Sequence, residues 1–210
     1  MTDVRPAALD DLDLLARVAA EGFYADPVLS WVFPDDGRRL HQLTFIFTGM
    51  VQDMLPDRGE VHLAGGACAA FWRTPDFEHG RMAADRVDDA LEDVVAGADE
   101  VEVPFSAEEL ERLAILGEVM RDNHPHEPHW YLNVVSTLPT HQGRGLGAAC
   151  LQPVLRRCDA EGTRAYLEST NPRNRTLYVR QGFVEAEEIP LPGGPAMLQM
   201  WRDPRPSSGV

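Results

Sequence analysis

The chain contains no lysine: all 19 of its basic residues are arginine. Chemistry that needs an ε-amine, such as a lysine nucleophile or the lysine of a P-loop, is therefore excluded. Positive charge as a whole is scarce, because 34 acidic residues set a net charge of −15. That sign opposes phosphate backbones and anionic membranes, which are themselves negative, so neither a nucleic acid nor a membrane is expected as a partner. No apolar run approaches the ~18 residues that would read as a membrane span. The opening residues also lack the basic-then-apolar build of a secretory signal, and a cytoplasmic location is expected.

Cysteine is sparse too. Cys68, Cys150 and Cys158 are odd in number and set in apolar patterns, which fits buried, reduced thiols better than a disulfide framework. Residues 4–202 hold no repeat, low-complexity run or Gly/Ser-rich linker. One domain over residues 1–202 and a loose tail over 203–210 are the expectation. The 44% hydrophobic content is enough for a core without covalent staples.

The elements follow from periodicity. Residues 3–7 read as a strand, 8–21 and 37–54 as amphipathic helices, and 61–64 and 67–73 as a hairpin around Gly65-Gly66. Residues 80–123 read as helix in two pieces divided near Gly97 and Pro104, the second opened by Ser106 and Glu109 as a capping box. Strand 129–137, helix 145–161 and strand 164–169 form a βαβ unit. A short helix over 172–181 and strands over 182–190 and 195–201 complete a mixed sheet with helices on both faces, an α/β fold.

The strongest chemical signal lies inside the βαβ unit, in His141-Gln142-Gly143-Arg144-Gly145-Leu146-Gly147-Ala148. Glycines between a strand end and a helix start let successive backbone N–H groups approach an anion, and the helix adds orphan donors and a partial positive charge. The same residues fit a relaxed dinucleotide fingerprint, Gly143-x-Gly145-x-x-Ala148, with Glu168 where a ribose partner would stand. That rival loses on position, because a dinucleotide fold usually starts with its glycine loop and here several elements come first. Downstream, Asn174 and Tyr178 are four apart and project from one face of a predicted helix.

Gln142, Gly145 and Gly147 match (Gln/Arg)-x-x-Gly-x-(Gly/Ala), and the run from Asn171 through Asn174 and Tyr178 to Gly182-Phe183 matches Asn-x-x-(Ala/Asn)-x-x-x-Tyr-x-x-x-Gly-Phe. Both resemble the GNAT superfamily of N-acetyltransferases. The resemblance implies the GNAT acyl-CoA N-acyltransferase fold, a mixed and mostly antiparallel sheet flanked by helices on both faces. It implies acetyl-CoA as co-substrate, with the backbone of Gln142, Gly143, Arg144, Gly145, Leu146, Gly147 and Ala148 on the pyrophosphate. Val135, Ser136 and Thr137 would pair with the pantetheine amides, Val135 N–H would face the developing oxyanion, and Asn171 and Asn174 would bond the pantetheine arm. Tyr178 would stand beside the thioester sulfur as general acid, which suits a phenol that keeps its proton at neutral pH. Glu168 is the candidate base for the attacking amine, with an ammonium anchor or helix cap as its alternative role.

Three further stretches, 61–75, 124–132 and 166–174, resemble the puromycin N-acetyltransferase-like branch of that superfamily. The branch implies a small-molecule amine as acceptor, such as an aminonucleoside or an antibiotic-like compound, and a monomer or homodimer. A protein or peptide acetyltransferase and a non-catalytic acyl-CoA sensor are the alternatives. Phe23, Tyr24, Trp31 and Trp72 are candidates for an aromatic acceptor wall or for the core. His124, His126 and His129 lie close enough to suggest zinc, but prolines interrupt their spacing and amide transfer from a thioester needs no metal, so none is expected.

Overall fold

The computed structural model describes residues 2–55, 58–76 and 104–205. The first predicted helical piece of residues 80–123 falls outside them. Among these residues seven strands form one sheet: β1 (Val4–Pro6), β2 (Glu60–Ala64), β3 (Cys68–Arg73), β4 (Trp130–Thr137), β5 (Ala165–Ser169), β6 (Val184–Pro190) and β7 (Ala196–Arg202). Their spatial order is β1-β2-β3-β4-β5-β7-β6. Every pairing is antiparallel except that of β4 with β5, as expected of a mixed, mostly antiparallel sheet. The β2–β3 hairpin turns on Gly65 and Gly66, whose φ values of 56° and 63° favour glycine.

Among the described residues six helices cover the two faces: α1 (Leu12–Phe23), α2 (Pro27–Val32), α3 (Asp36–Met54), α4 (Ala107–Asn123), α5 (Leu146–Glu161) and α6 (Arg175–Gln181). On one face, Leu15, Ala19, Leu43 and Phe47 of α1 and α3 pack on Val61, Leu63, Phe71 and Val134 of the sheet. On the other, Cys150, Leu151, Val154 and Leu155 of α5 pack on Ala70, Trp72, Leu132 and Leu167. The three thiols are free and buried, and burial raises Cys158 to about 12. The predicted capping box of α4 is present, with Glu109 N donating to Ser106 Oγ and Ser106 N to Glu109 Oε2.

Helix α2 lies in a stretch where no helix was expected. Its start is nonetheless written locally: Asp26 is the N-cap, its Oδ1 accepting from Val28 N and Leu29 N, and Pro27 occupies the first turn. At the other end of the chain, Arg205 N donates to Asp159 Oδ1 and Arg164 pairs with Asp203. The first residues of the expected loose tail are thus docked.

Two irregularities shape the centre of the sheet. Between Phe71 and Trp72 of β3 the β4 partner jumps from Val134 to Leu132, so Asn133 is an extra residue in β4. The bulge switches the side-chain alternation. Trp130 and Leu132 face α5, while Val134 and Ser136 face α1. Second, β4 meets β5 only at Trp130↔Ala165 and Tyr131↔Tyr166. Beyond that point the parallel strands part, and the sheet opens toward their C-terminal ends.

Helix α1 is held against the edge of this opening. Ser136 Oγ donates to Val18 O at 2.7 Å, and Gly22 lies so near that an added Cβ would overlap the Ser136 hydroxyl and come within 3.1 Å of Thr137 O. In an ordinary helix interior Gly→Ala adds about 0.5–1 kcal/mol of stability. Gly22→Ala is expected to do the reverse and cost about 1–3 kcal/mol by overpacking. Urea unfolding of Gly22→Ala, Ser136→Ala and the double variant checks this, with a coupling energy of at least about 0.5 kcal/mol expected between the two sites.

Candidate active site

The glycine run occupies the mouth of the opening. A 3₁₀ turn over Pro139–His141 leads from β4 into exposed residues 142–145. Gly143 and Gly145 take φ values of 74° and 78°, in the left-handed region that side chains with a Cβ avoid. Gly145 is the N-cap of α5 and offers the first turn no side-chain acceptor, so the amides of that turn and their dipole look into the loop. The two long side chains of the run tie it to the end of β4 and the turn that follows: Gln142 Nε2 donates to Thr137 O at 3.2 Å and Arg144 Nη2 to Thr140 O at 2.9 Å. At Gly147 an added Cβ would press on Leu177 Cδ2 at 3.2 Å, with Thr137 Oγ1 at 4.0 Å. Its bareness lets α5, the end of β4 and α6 converge. Leu146 and Ala148 are half-buried in the same turn.

On β4, Leu138 N donates to Ala67 O at 2.9 Å. With the register Ala69↔Ser136 and Phe71↔Val134, antiparallel alternation turns the backbone groups of Val134 and Ser136 toward β3 and those of Val135 and Thr137 toward the opening. The Gln142 bond to Thr137 O agrees with this polarity. The Ser136 side chain is not brought to the opening, because its hydroxyl is committed to α1.

On the other bank, Asn171 caps the 3₁₀ turn over Pro172–Asn174, its Oδ1 accepting from Arg173 N at 3.1 Å. Asn174 is exposed. Tyr178 is buried in α6, its ring against Phe183 at 6.1 Å. Burial raises its phenol well above the ordinary value, and the nearby Asp26 carboxylate adds to the rise. Asp26 belongs to α2 and accepts from Thr170 Oγ1 at 2.6 Å. Its own carboxyl is pushed up by burial against the opposing bonds from Thr170, Leu29 and Val28. The Asp26–Thr170 bond thus ties helix α2 to the segment that leads into α6.

Glu168 projects from the sheet face opposite α5 and α6, with its side chain 1% exposed. His124 Nδ1 stands 3.4 Å from its Oε1. The phenols of Tyr131 and Tyr166 are raised by burial and by this carboxylate. The structure therefore brings the glycine loop and the free edge of β4 to one opening and packs Tyr178 of α6 into the α5-side core, while it seats Glu168 in a buried polar cluster on the opposite face of the sheet.

Sequence comparison gives the arrangement its relatives. The acetyltransferase (GNAT) family matches residues 64–183, more than half of the chain. The chain belongs to this family. A crystal structure of "histone acetyltransferase HPA2 and related acetyltransferase" from Corynebacterium glutamicum is 25% identical, with a TM-score of 0.68 and 99% of each chain covered. An uncharacterised N-acetyltransferase of Schizosaccharomyces pombe is 38% identical over 71 residues, which are 34% of this chain and 27% of that protein. The fold is shared with the PaiA N-acetyltransferase of Thermoplasma acidophilum, determined in complex with coenzyme A (11% identity, TM-score 0.51, covering 97% of this chain and 99% of that one).

Within this GNAT fold the expected aromatic wall is divided. Trp72 is fully buried on the α5 face and belongs to the core. Phe23 packs on Phe47 and Tyr24 donates to Asp36 O under the Arg39 guanidinium. Trp31 is half-buried and packs over Gly194 in the β6–β7 turn. Sequence reasoning passed over Asp26 and the bulge at Asn133. The Asp-Pro dipeptide that opens a short helix was the available signal for the first. The second had none, since a bulge depends on the partner strand.

Proposed function

We propose that the protein transfers the acetyl group of acetyl-CoA directly to the amine of a small molecule. The observation that carries this reading is the opening between β4 and β5, with an exposed, left-handed glycine turn at a helix N-terminus at its mouth; Tyr178 of α6 is read as flanking its other side. A diphosphate fits the turn because the donors are main-chain N–H groups with no Cβ in the way. The amides of Val135 and Thr137 face the gap, so an extended pantetheine arm has partners there. Val135 N–H serves as the donor to the thioester oxygen as it takes on charge. Asn171 and Asn174, in the 3₁₀ turn before α6, are the proposed side-chain partners of the same arm.

In the reaction the amine nitrogen attacks the thioester carbon, the C–S bond breaks, and Tyr178 gives its proton to the departing sulfur. The amine's proton passes to Glu168. Support for a small acceptor comes from the resemblance of segments 61–75, 124–132 and 166–174 to puromycin N-acetyltransferase-like proteins. A peptide acceptor is the second reading, favoured by the likeness to the Corynebacterium glutamicum structure and by an acidic chain that suits cationic peptides.

Thiol release from acetyl-CoA, followed with a panel of small amines including aminonucleosides and with a panel of basic peptides, tests this. Release with small amines is expected. Release with peptides alone overturns the acceptor class and leaves the chemistry, whereas no release with any amine overturns the enzyme.

A further inference from the structure

The turn between α1 and α2 spans the mouth of the opening. At one end α1 is fixed to the last residues of β4, through the Ser136 bond to Val18 O and the close approach of Gly22 to Ser136 and Thr137. At the other, Asp26 Oδ2 accepts from Thr170 Oγ1 at 2.6 Å, one residue beyond the end of β5. Residues 24–26 thus pass from the C-terminal end of one parted strand to that of the other. Asp26 N closes the turn on Phe23 O at 3.0 Å, and Asp26 is 4% exposed.

The donors to this carboxylate are all neutral: Val28 N, Leu29 N and the Thr170 hydroxyl. Two arginines reach α2 and its flanking turns, and both are engaged with other groups. Arg39 donates to Tyr24 O, Phe33 O and Pro34 O and pairs with Asp36, whereas Arg112 donates to Trp31 O and pairs with Glu108. Among the described residues no cation pairs with Asp26. Capping α2 does not call for its charge, because asparagine caps a helix as well as aspartate does. An ionised carboxylate buried without a cation is costly, and burial accordingly pushes the Asp26 carboxyl up.

A cationic substrate would supply the opposite charge at the place where the transfer reaction needs it. Helix α2 lies on the sheet face opposite α5, where Val28 packs with Ile189, Leu191 and Met197, while Tyr178 packs on the α5 side. The Tyr178 phenol nonetheless feels the Asp26 charge, so the two groups face each other across the region where β4 and β5 part. A primary alkylamine travels as its ammonium at neutral pH, like the lysine side chain with its pKa of ~10.4. We propose that Asp26 binds the ammonium group of the acceptor, holding the substrate nitrogen at the mouth of the opening and selecting charged amines over neutral molecules of the same shape. This rests on the reading of the opening as the acetyl-transfer site. Thr170 is the positioning residue, because its hydroxyl fixes Oδ2 while the helix amides fix Oδ1.

The test loads the full chain with coenzyme A and adds two probes of one shape, n-butylammonium chloride and butan-1-ol, with nitrogen-15 amide spectra as the readout. The Val28 and Leu29 N–H groups donate to Asp26 Oδ1 and report on its charge. They are expected to shift saturably with butylammonium, to stay unmoved with butanol, and to stay unmoved by either probe in Asp26→Asn. No response, equal responses to the two probes, or a butylammonium response that survives in Asp26→Asn overturns the proposal; the comparison of probes in the wild type needs no variant. Loading is seen separately in the amides of Gly143 and Gly145. If coenzyme A leaves these unmoved, the reading of the opening fails and the proposal with it, whereas a loaded protein indifferent to butylammonium refutes the ammonium site alone. Kinetics give the second arm, with the small amine that releases thiol fastest. Asp26→Asn is expected to raise KM for that amine at least about tenfold and to leave KM for acetyl-CoA within about twofold. Its side chain keeps the cap and can donate to Thr170 Oγ1, so its thermal midpoint should stay within about 3 °C of wild type. An amine KM that is unmoved in Asp26→Asn and raised only in Asp26→Ala makes the residue a helix cap and overturns its binding role.

Discussion

Replacing Tyr178 with phenylalanine is expected to lower turnover about 100-fold while leaving acetyl-CoA affinity within about twofold. The substitution removes one oxygen from a ring that is otherwise packed against Phe183 in the α5-side core, so the packing survives. The phenol proton is what is lost. Burial and the Asp26 carboxylate raise the Tyr178 phenol above its ordinary range. The sign of that shift matters: the protonated acid is the form present below the raised value, so no alkaline loss of activity should set in at the usual phenol range near pH ~10. Thiol release at saturating acetyl-CoA, measured beside equilibrium binding of the same ligand, separates the two effects. Equal turnover in Tyr178→Phe would take this phenol out of the reaction.

The second large effect is expected at Gly145, where valine should weaken acetyl-CoA binding at least about tenfold. Gly145 has a φ of 78° at the N-cap of α5. A β-branched residue resists the left-handed conformation by roughly 1–2 kcal/mol. Relief by rotation of the backbone would turn the first amides of the helix away from the diphosphate. Asparagine tolerates this region, so Gly145→Asn is the control and should keep most of the affinity. Titration calorimetry on both variants distinguishes a lost anion turn from a destabilised fold, since an added Cβ at this position meets no atom within 4 Å.

The parts of this structure that were legible in the sequence are those whose cause is local. Gly65-Gly66 announced its hairpin, Ser106 and Glu109 their capping box, and the run from Gln142 to Ala148 its strand–turn–helix junction. Each depends on backbone conformation or hydrogen bonds within a few residues. What was not legible depends on a partner far along the chain. The bulge at Asn133 exists only in register with Phe71 and Trp72, and it decides which amides of β4 face the opening. The burial of Glu168 comes from Tyr131 on β4 and His124 at the end of α4, which join Tyr166 of its own strand. Trp72 offered an acceptor-wall candidate by composition alone, and strand parity sent it to the opposite face. The histidines at short spacing, for which no metal is expected, gave no sign that the His124 ring would lie beside the Glu168 carboxylate and the His129 ring against it.

The most direct measurement is a crystal structure of the full chain grown with acetyl-CoA. The diphosphate should lie within hydrogen-bonding distance of main-chain N–H groups between Gln142 and Ala148, the pantetheine arm between β4 and β5, and the thioester sulfur beside the Tyr178 hydroxyl. A nucleotide bound elsewhere, or strands β4 and β5 closed into a continuous ladder with the glycine turn folded against its own helix, would contradict it.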